Sequence, residues 1–136
     1  MVEFAIGSGV LVAAFTGTFQ FGYTFLQYNN LENAVARGAH YAAVVPYDSA
    51  TTTPSATFQT AVQNMVLYGT PTAGSSPVLQ GLTSSNVNLT VTFANGIPAA
   101  MTVSISNYTI NSVFATTTLI SKPSIRYAYE GVWSPL

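Results

Sequence analysis

An α+β fold, with a long apolar N-terminal helix followed by a small domain holding a short helix and an antiparallel β-sheet, follows from three features of the sequence. Residues Phe4 to Leu31 carry no charge. Apolar residues continue at helical spacing as far as Val45, and beyond Pro46 the period changes to two in several short runs rich in Thr and Val. These features divide the chain into an N-terminal helix over 1–45 and a small α+β domain over 46–136.

The stretch from Phe4 to Leu26 contains no proline and exceeds the ~20 residues that cross a bilayer as a helix. A secretory signal has a basic start, a shorter apolar run and a small-residue cleavage site. Here the run is longer and passes straight into another helical pattern, so it is expected to be retained in the mature protein. Tyr28, Leu31, Val35, Ala39 and Ala42 keep the helical spacing, and Pro46 ends it. One helix from about residue 3 to 45 is then roughly 60 Å long, twice the ~30 Å of a hydrocarbon core, and half of it stands outside the membrane.

Pro46 to Ser55 reads as a linker, rich in Pro, Ser and Thr with Asp48 its only charge. A second helix follows, capped by Ser55 or Thr57, with Phe58, Ala61, Val62 and Met65 on one face and Gly69 with Pro71 as its stop. Val87, Leu89, Val91 and Phe93 alternate with polar residues, as do Met101, Val103 and Ile105. With Asn95-Gly96 between them, these runs predict an antiparallel hairpin whose turn extends through Pro98. Ile125, Tyr127 and Tyr129 predict a third strand, and Ile110 to Lys122 reads equally as strand or long loop.

Composition narrows the function. Only 5% of residues are charged and 49% are hydrophobic, against a usual charged share of about 25%. Such a surface has little charge repulsion to oppose packing against copies of itself, which favours an assembly. The net charge of −1 and the lack of any Lys/Arg run remove the electrostatic term that drives nucleic-acid binding. With one His, no Cys, four scattered carboxylates and neither a nucleophile motif nor a phosphate-binding glycine loop, no catalytic, cofactor-binding or metal-ligating set emerges. The expectation is a protein that is not an enzyme and takes no cofactor.

Glu3 opens the apolar run, where the helix dipole favours a carboxylate. It either reaches a headgroup region or, in a dry helix bundle, needs a cation such as an N-terminal amine, its own or another subunit's. Phe4, Val10, Phe15, Phe19, Phe21, Phe25 and Leu31 are the expected packing residues of the helix core. Phe15, Phe19 and Tyr23 form one aromatic stripe, Phe21, Phe25 and Tyr28 another, and Gly7, Gly9, Gly17 and Gly22 allow close helix approach. His40 reads as a packing or surface residue, and Glu32 and Arg37 as solvated or pairing outside their own helix. Asn88-Leu89-Thr90 and Asn107-Tyr108-Thr109 are candidate glycosylation sequons, both expected in strands, and Thr51 to Thr53 are candidate acceptors as well.

The opening Val2-Glu3-Phe4-Ala5, the closing Gln20-Phe21-Gly22-Tyr23 and the block from Leu31 to Val44 resemble TadE-like pilins over residues 2–45. The resemblance implies a type IV pilin-like subunit, cut by a prepilin peptidase and assembled from the membrane by a tight-adherence-type machine. Its partners would be further copies of itself in a helical filament, the membrane before assembly, and that machinery. Its location would be the cell membrane first and an extracellular pilus used in attachment afterwards. Glu3 matches the family's glutamate near the mature N-terminus. That residue usually stands fifth after cleavage rather than third, so either the start is shortened or further residues precede Met1. The alternative role is a minor pseudopilin or membrane-anchored accessory protein of the assembly machine.

Overall fold

The computed structural model of the chain describes residues 2–112 and 114–135. The fold is α+β: a helix α1 (Val2–Val44), a second helix α2 (Ala56–Tyr68), a 3₁₀ turn at Ser84–Asn86, and five strands, β1 (Val87–Ala94), β2 (Ile97–Ile105), β3 (Tyr108–Asn111), β4 (Thr116–Leu119) and β5 (Ser124–Ala128). At 43 residues, α1 runs unbroken because no proline interrupts it before Pro46.

Among the described residues, the continuous covered face of α1 begins at Gln20. Gln20, Tyr23, Thr24, Gln27 and Tyr28 are half-buried, and Leu31, Ala34, Val35, Gly38, Ala39, Ala42 and Ala43 are buried. These positions recur every three or four residues and form a single stripe turned to the domain. Leu31, Val35 and Ala39 share one core with Val62 and Val66 of α2 and Met101, Val103 and Ile105 of β2, all fully buried. The helical segment and the small domain are therefore packed as one body at this end. At Gly38 the two helices are in close contact, and a Cβ built there would overlap Val66 Cγ2.

Helix α2 is capped at both ends by side-chain and backbone chemistry. Ser55 Oγ accepts the Phe58 N–H at 3.1 Å and donates to Asp48 Oδ2 at 2.5 Å, which ties the 46–55 linker to the helix start. Gly69 adopts φ 74° and its N–H returns to the Met65 carbonyl at 3.0 Å. The buried face is Phe58, Val62, Val66 and Leu67, with Ala61 and Met65 only half-buried, so the helix is rotated from the face expected of its sequence. Val66 takes the inward position because the small Gly38 opposite leaves room for it.

Strands β1 and β2 pair antiparallel with Val91 opposite Met101 and Leu89 opposite Val103, and β5 pairs antiparallel with β2, giving the order β1-β2-β5. The turn is tighter than expected. Asn95 and Gly96 both have positive φ, 53° and 80°, as a two-residue hairpin turn requires. Pro98 then lies inside β2 opposite Phe93, where a bulge at Thr92/Phe93 shifts the register. The stretch left open between Ile110 and Lys122 contains β4, which pairs antiparallel with β3 in a second hairpin. Tyr108 and Ile110 point inward, and Tyr108 Oη donates to the Gln80 carbonyl at 3.1 Å. Asn107 is a correction: it lies between β2 and β3 with φ 55°, in a turn and not in a strand.

The segment after β5 closes over the end of α1. The N–H groups of Glu130 and Gly131 both reach the Ala43 carbonyl, at 2.9 and 3.0 Å, which satisfies an oxygen the helix leaves unpaired. Tyr47 donates its N–H to the Val132 carbonyl at 3.0 Å and to Tyr129 Oη at 2.8 Å. Its own hydroxyl donates to the Thr51 carbonyl at 2.7 Å, and Trp133 Nε1 donates to the Ser49 carbonyl at 3.1 Å. Burial first, and then the smaller neighbouring charges, raises the Tyr47 hydroxyl above its ordinary pKa; burial also raises Tyr129.

Candidate functional site: the exposed half of the first helix

Among the described residues, the N-terminal half of α1 is exposed along nearly its whole length, with Thr16 half-buried. Eleven large apolar side chains between Val2 and Leu26 are exposed, among them Phe4 at 82%, Val10 at 68%, Phe15 at 71% and Phe21 at 82%. At about 1.5–3 kcal/mol for fully covering each, their joint exposure to water is unfavourable on the order of 15–30 kcal/mol, an upper bound. That exceeds the usual net stability of a domain. The surface is therefore suited to lipid or to other apolar helices. The same exposure separates α1 from the core helix of a soluble protein, which would be buried in its own chain.

Covered and uncovered helix meet at Gln20. Its Nε2 donates to Ser112 Oγ and its Oε1 accepts the Phe114 N–H at 3.2 Å, so both halves of the amide bind the turn of the β3–β4 hairpin. The hairpin lies along α1, and Tyr23 and Gln27 share a cleft with Tyr108 and Asn111. The Tyr108 hydroxyl is raised by burial and, secondarily, by Tyr23. From Val2 to Phe19 the free helix has 18 residues, about 27 Å at 1.5 Å per residue, close to the ~30 Å of a hydrocarbon core. This boundary leaves a trace in the sequence, since Gln20 is a lone amide in an apolar run and such a group must find a partner. Its partner lay in the stretch whose structure the sequence left open.

The expected packing residues fall into two sets. Phe4, Val10, Phe15, Phe19, Phe21 and Phe25 are all exposed and available to a neighbour, whereas Leu31 is fully buried in the chain's own core. The aromatic stripes divide in the same way, with Tyr23 and Tyr28 half-buried toward the domain. Glu3 is exposed in the first turn of α1, beside a shallow groove with Phe4, Gly7 and Leu11. The Met1 amine proposed as its own-chain partner lies outside the described residues. Among the described residues, a Cβ at Gly7, Gly9, Gly17 or Gly22 would meet nothing within 4 Å, so no contact there calls for glycine.

The remaining candidates are dispersed. His40 is exposed and meets the Tyr127 ring edge-on at 5.7 Å. Asn88 is exposed on β1 with its amide donating to Ser106 Oγ at 2.6 Å, and Asn107 is exposed in its turn. Thr51 to Thr53 are exposed in the linker. Among the described residues, no three His, Cys, Asp or Glu side chains gather where they could hold a metal.

Residues 1–40 match the family described as TadE-like protein. That span takes in the whole exposed half of α1 and the first part of its domain-facing stripe. No curated protein and no solved structure matches the chain. The family match and the apolar helix together fit a membrane-anchored protein associated with the Tad pilus.

Proposed function

We propose that this chain, TadE-like over residues 1–40, is a structural pilin subunit that polymerises through α1 into an extracellular filament used in attachment. One observation carries the reading: an apolar half-helix of one membrane thickness projects uncovered from a folded domain. In the membrane this half is solvated by lipid. Leaving the bilayer for water would be unfavourable, but leaving it for a bundle of like helices is nearly neutral in apolar area, because both surroundings cover the same side chains. Assembly then turns on packing and on pairing of the few polar groups.

Gly7, Gly9, Gly17 and Gly22 support this use. Each lowers helix propensity by up to about 1 kcal/mol relative to Ala, and with no close contact inside the chain, close approach of a neighbouring helix supplies the reason for them. Glu3, carried into a dry bundle, pairs with an N-terminal amine and so fixes the axial stagger between subunits. A prepilin peptidase and a pilus assembly machine are the partners in maturation. No catalysis, cofactor or nucleic acid enters the role.

Filaments sheared from cells, imaged in negative stain and analysed by mass spectrometry, test the proposal. The expected result is this chain as the dominant component. Its presence only in traces, or only in the membrane fraction, would replace the shaft role with that of a minor pseudopilin or accessory protein of the assembly machine.

A further inference from the structure

We infer that the tip of the β3–β4 hairpin is a lipid contact of the membrane-held subunit, with Phe114 entering the interfacial layer of the bilayer beside Gln20 and fixing the depth of α1. The inference rests on the reading of α1 as membrane-held and adds a second point of contact to it.

Three observations converge on the tip. Phe114, a large apolar ring, is 62% exposed at the hairpin turn. Its backbone N–H is bound to Gln20 Oε1 at 3.2 Å, and Ser112 Oγ takes the other half of the same amide, so the tip cannot swing from the helix without breaking both bonds. Gln20 in turn stands about 27 Å along the helix from Val2, close to one hydrocarbon thickness. Phe114 is thus held at the level where the bilayer gives way to water.

That level suits an aromatic ring, since the interface accepts an apolar body while leaving nearby polar groups hydrated. The helix presents exposed Phe19, Phe21 and Phe25 around its other sides within about two turns, so the hairpin adds an aromatic ring on the Gln20 face that these three leave open. The Gln20 amide has its hydrogen bonds made inside the chain, which lowers the desolvation cost of placing it at the edge of the hydrocarbon. Two points of contact also limit tilt.

The chain has no cysteine, so single labelling sites are clean. Three variants, Phe15→Cys, Phe114→Cys and Thr52→Cys, each labelled with an environment-sensitive fluorophore, would be placed in phosphatidylcholine vesicles at no more than one copy per vesicle. Shielding can then come only from lipid. The expected result is a deep, blue-shifted Phe15 label, a Phe114 label several-fold brighter than the Thr52 label and quenched by headgroup-region quenchers, and a Thr52 label in water. A deep Phe15 label with Phe114 indistinguishable from Thr52 overturns the inference and leaves the membrane reading standing. A Phe15 label that is itself aqueous overturns both.

Discussion

Gly38 is the residue on which the joint between the helices depends. Gly38→Ala adds a Cβ into Val66 Cγ2, a buried and branched side chain with little freedom to move. The clash outweighs the gain in helix propensity, and the expected cost is about 1–3 kcal/mol, read as a lower denaturation midpoint of the detergent-solubilised protein. Gly17→Ala is the control, since nothing inside the chain lies within 4 Å of its Cβ; it should leave the midpoint unchanged or raised while lowering filament yield. Three buried or half-buried tyrosines give a second test. Tyr47, Tyr108 and Tyr129 are raised above 10.0 in the folded chain, so unfolding lets them ionise sooner. Their contribution is complete below pH 10 and is lost as pH rises through the higher folded values. A melting temperature flat up to about pH 10 and falling above it is expected, and one that falls earlier would point to another group. At this scale the sequence was partly legible. Gly69 and Ser55 announced their caps, while Gly38 looked like any other helix glycine because its reason lies on α2.

Helix α1 changes its surroundings midway without changing its backbone. An arginine at Val10, the middle of the free half, should weaken membrane insertion by about 2.5–3.5 kcal/mol. Val10→Arg is expected to move the subunit from the membrane pellet to soluble or degraded fractions while the domain, which Val10 does not touch, keeps its fold. Retention in the membrane at the wild-type level would argue against a span centred there. The long helix, the short helix and the β1–β2 hairpin were readable because each follows one period over many residues. The β3–β4 hairpin was not: β4 is Thr116-Thr-Thr-Leu119, with no alternation to find, and the hairpin is held by the buried face of β3 and by the Gln20 amide. Likewise the tight Asn95-Gly96 turn was masked by Pro98, which a bulge admits into β2.

For the whole molecule, the dominant fact is how little of its surface works by charge. Among the described residues, the charged side chains form no ion pairs with one another, and the core is apolar throughout. Filaments held by α1 should therefore persist in molar salt and come apart in detergent, as followed by sedimentation; dissolution by salt alone would assign assembly to ionic contacts. The sequence showed the apolar half of α1 and its length. It could not show where the domain begins along the helix, because that boundary is set by a hydrogen bond between residues more than ninety positions apart.

Because one unbroken helix serves both the domain core and the free apolar half, the two are geared together like parts on a single shaft. Each residue added or removed between them turns everything on the N-terminal side by about 100°, so a single insertion near Phe15 would aim the glycines and phenylalanines in a new compass direction relative to the domain. Seven added residues would restore the aim to within about 20° while lengthening the shaft by roughly 10 Å. Length and bearing along α1 can thus be varied separately, which makes the rotational phase of this helix a variable that selection can tune independently of any side chain.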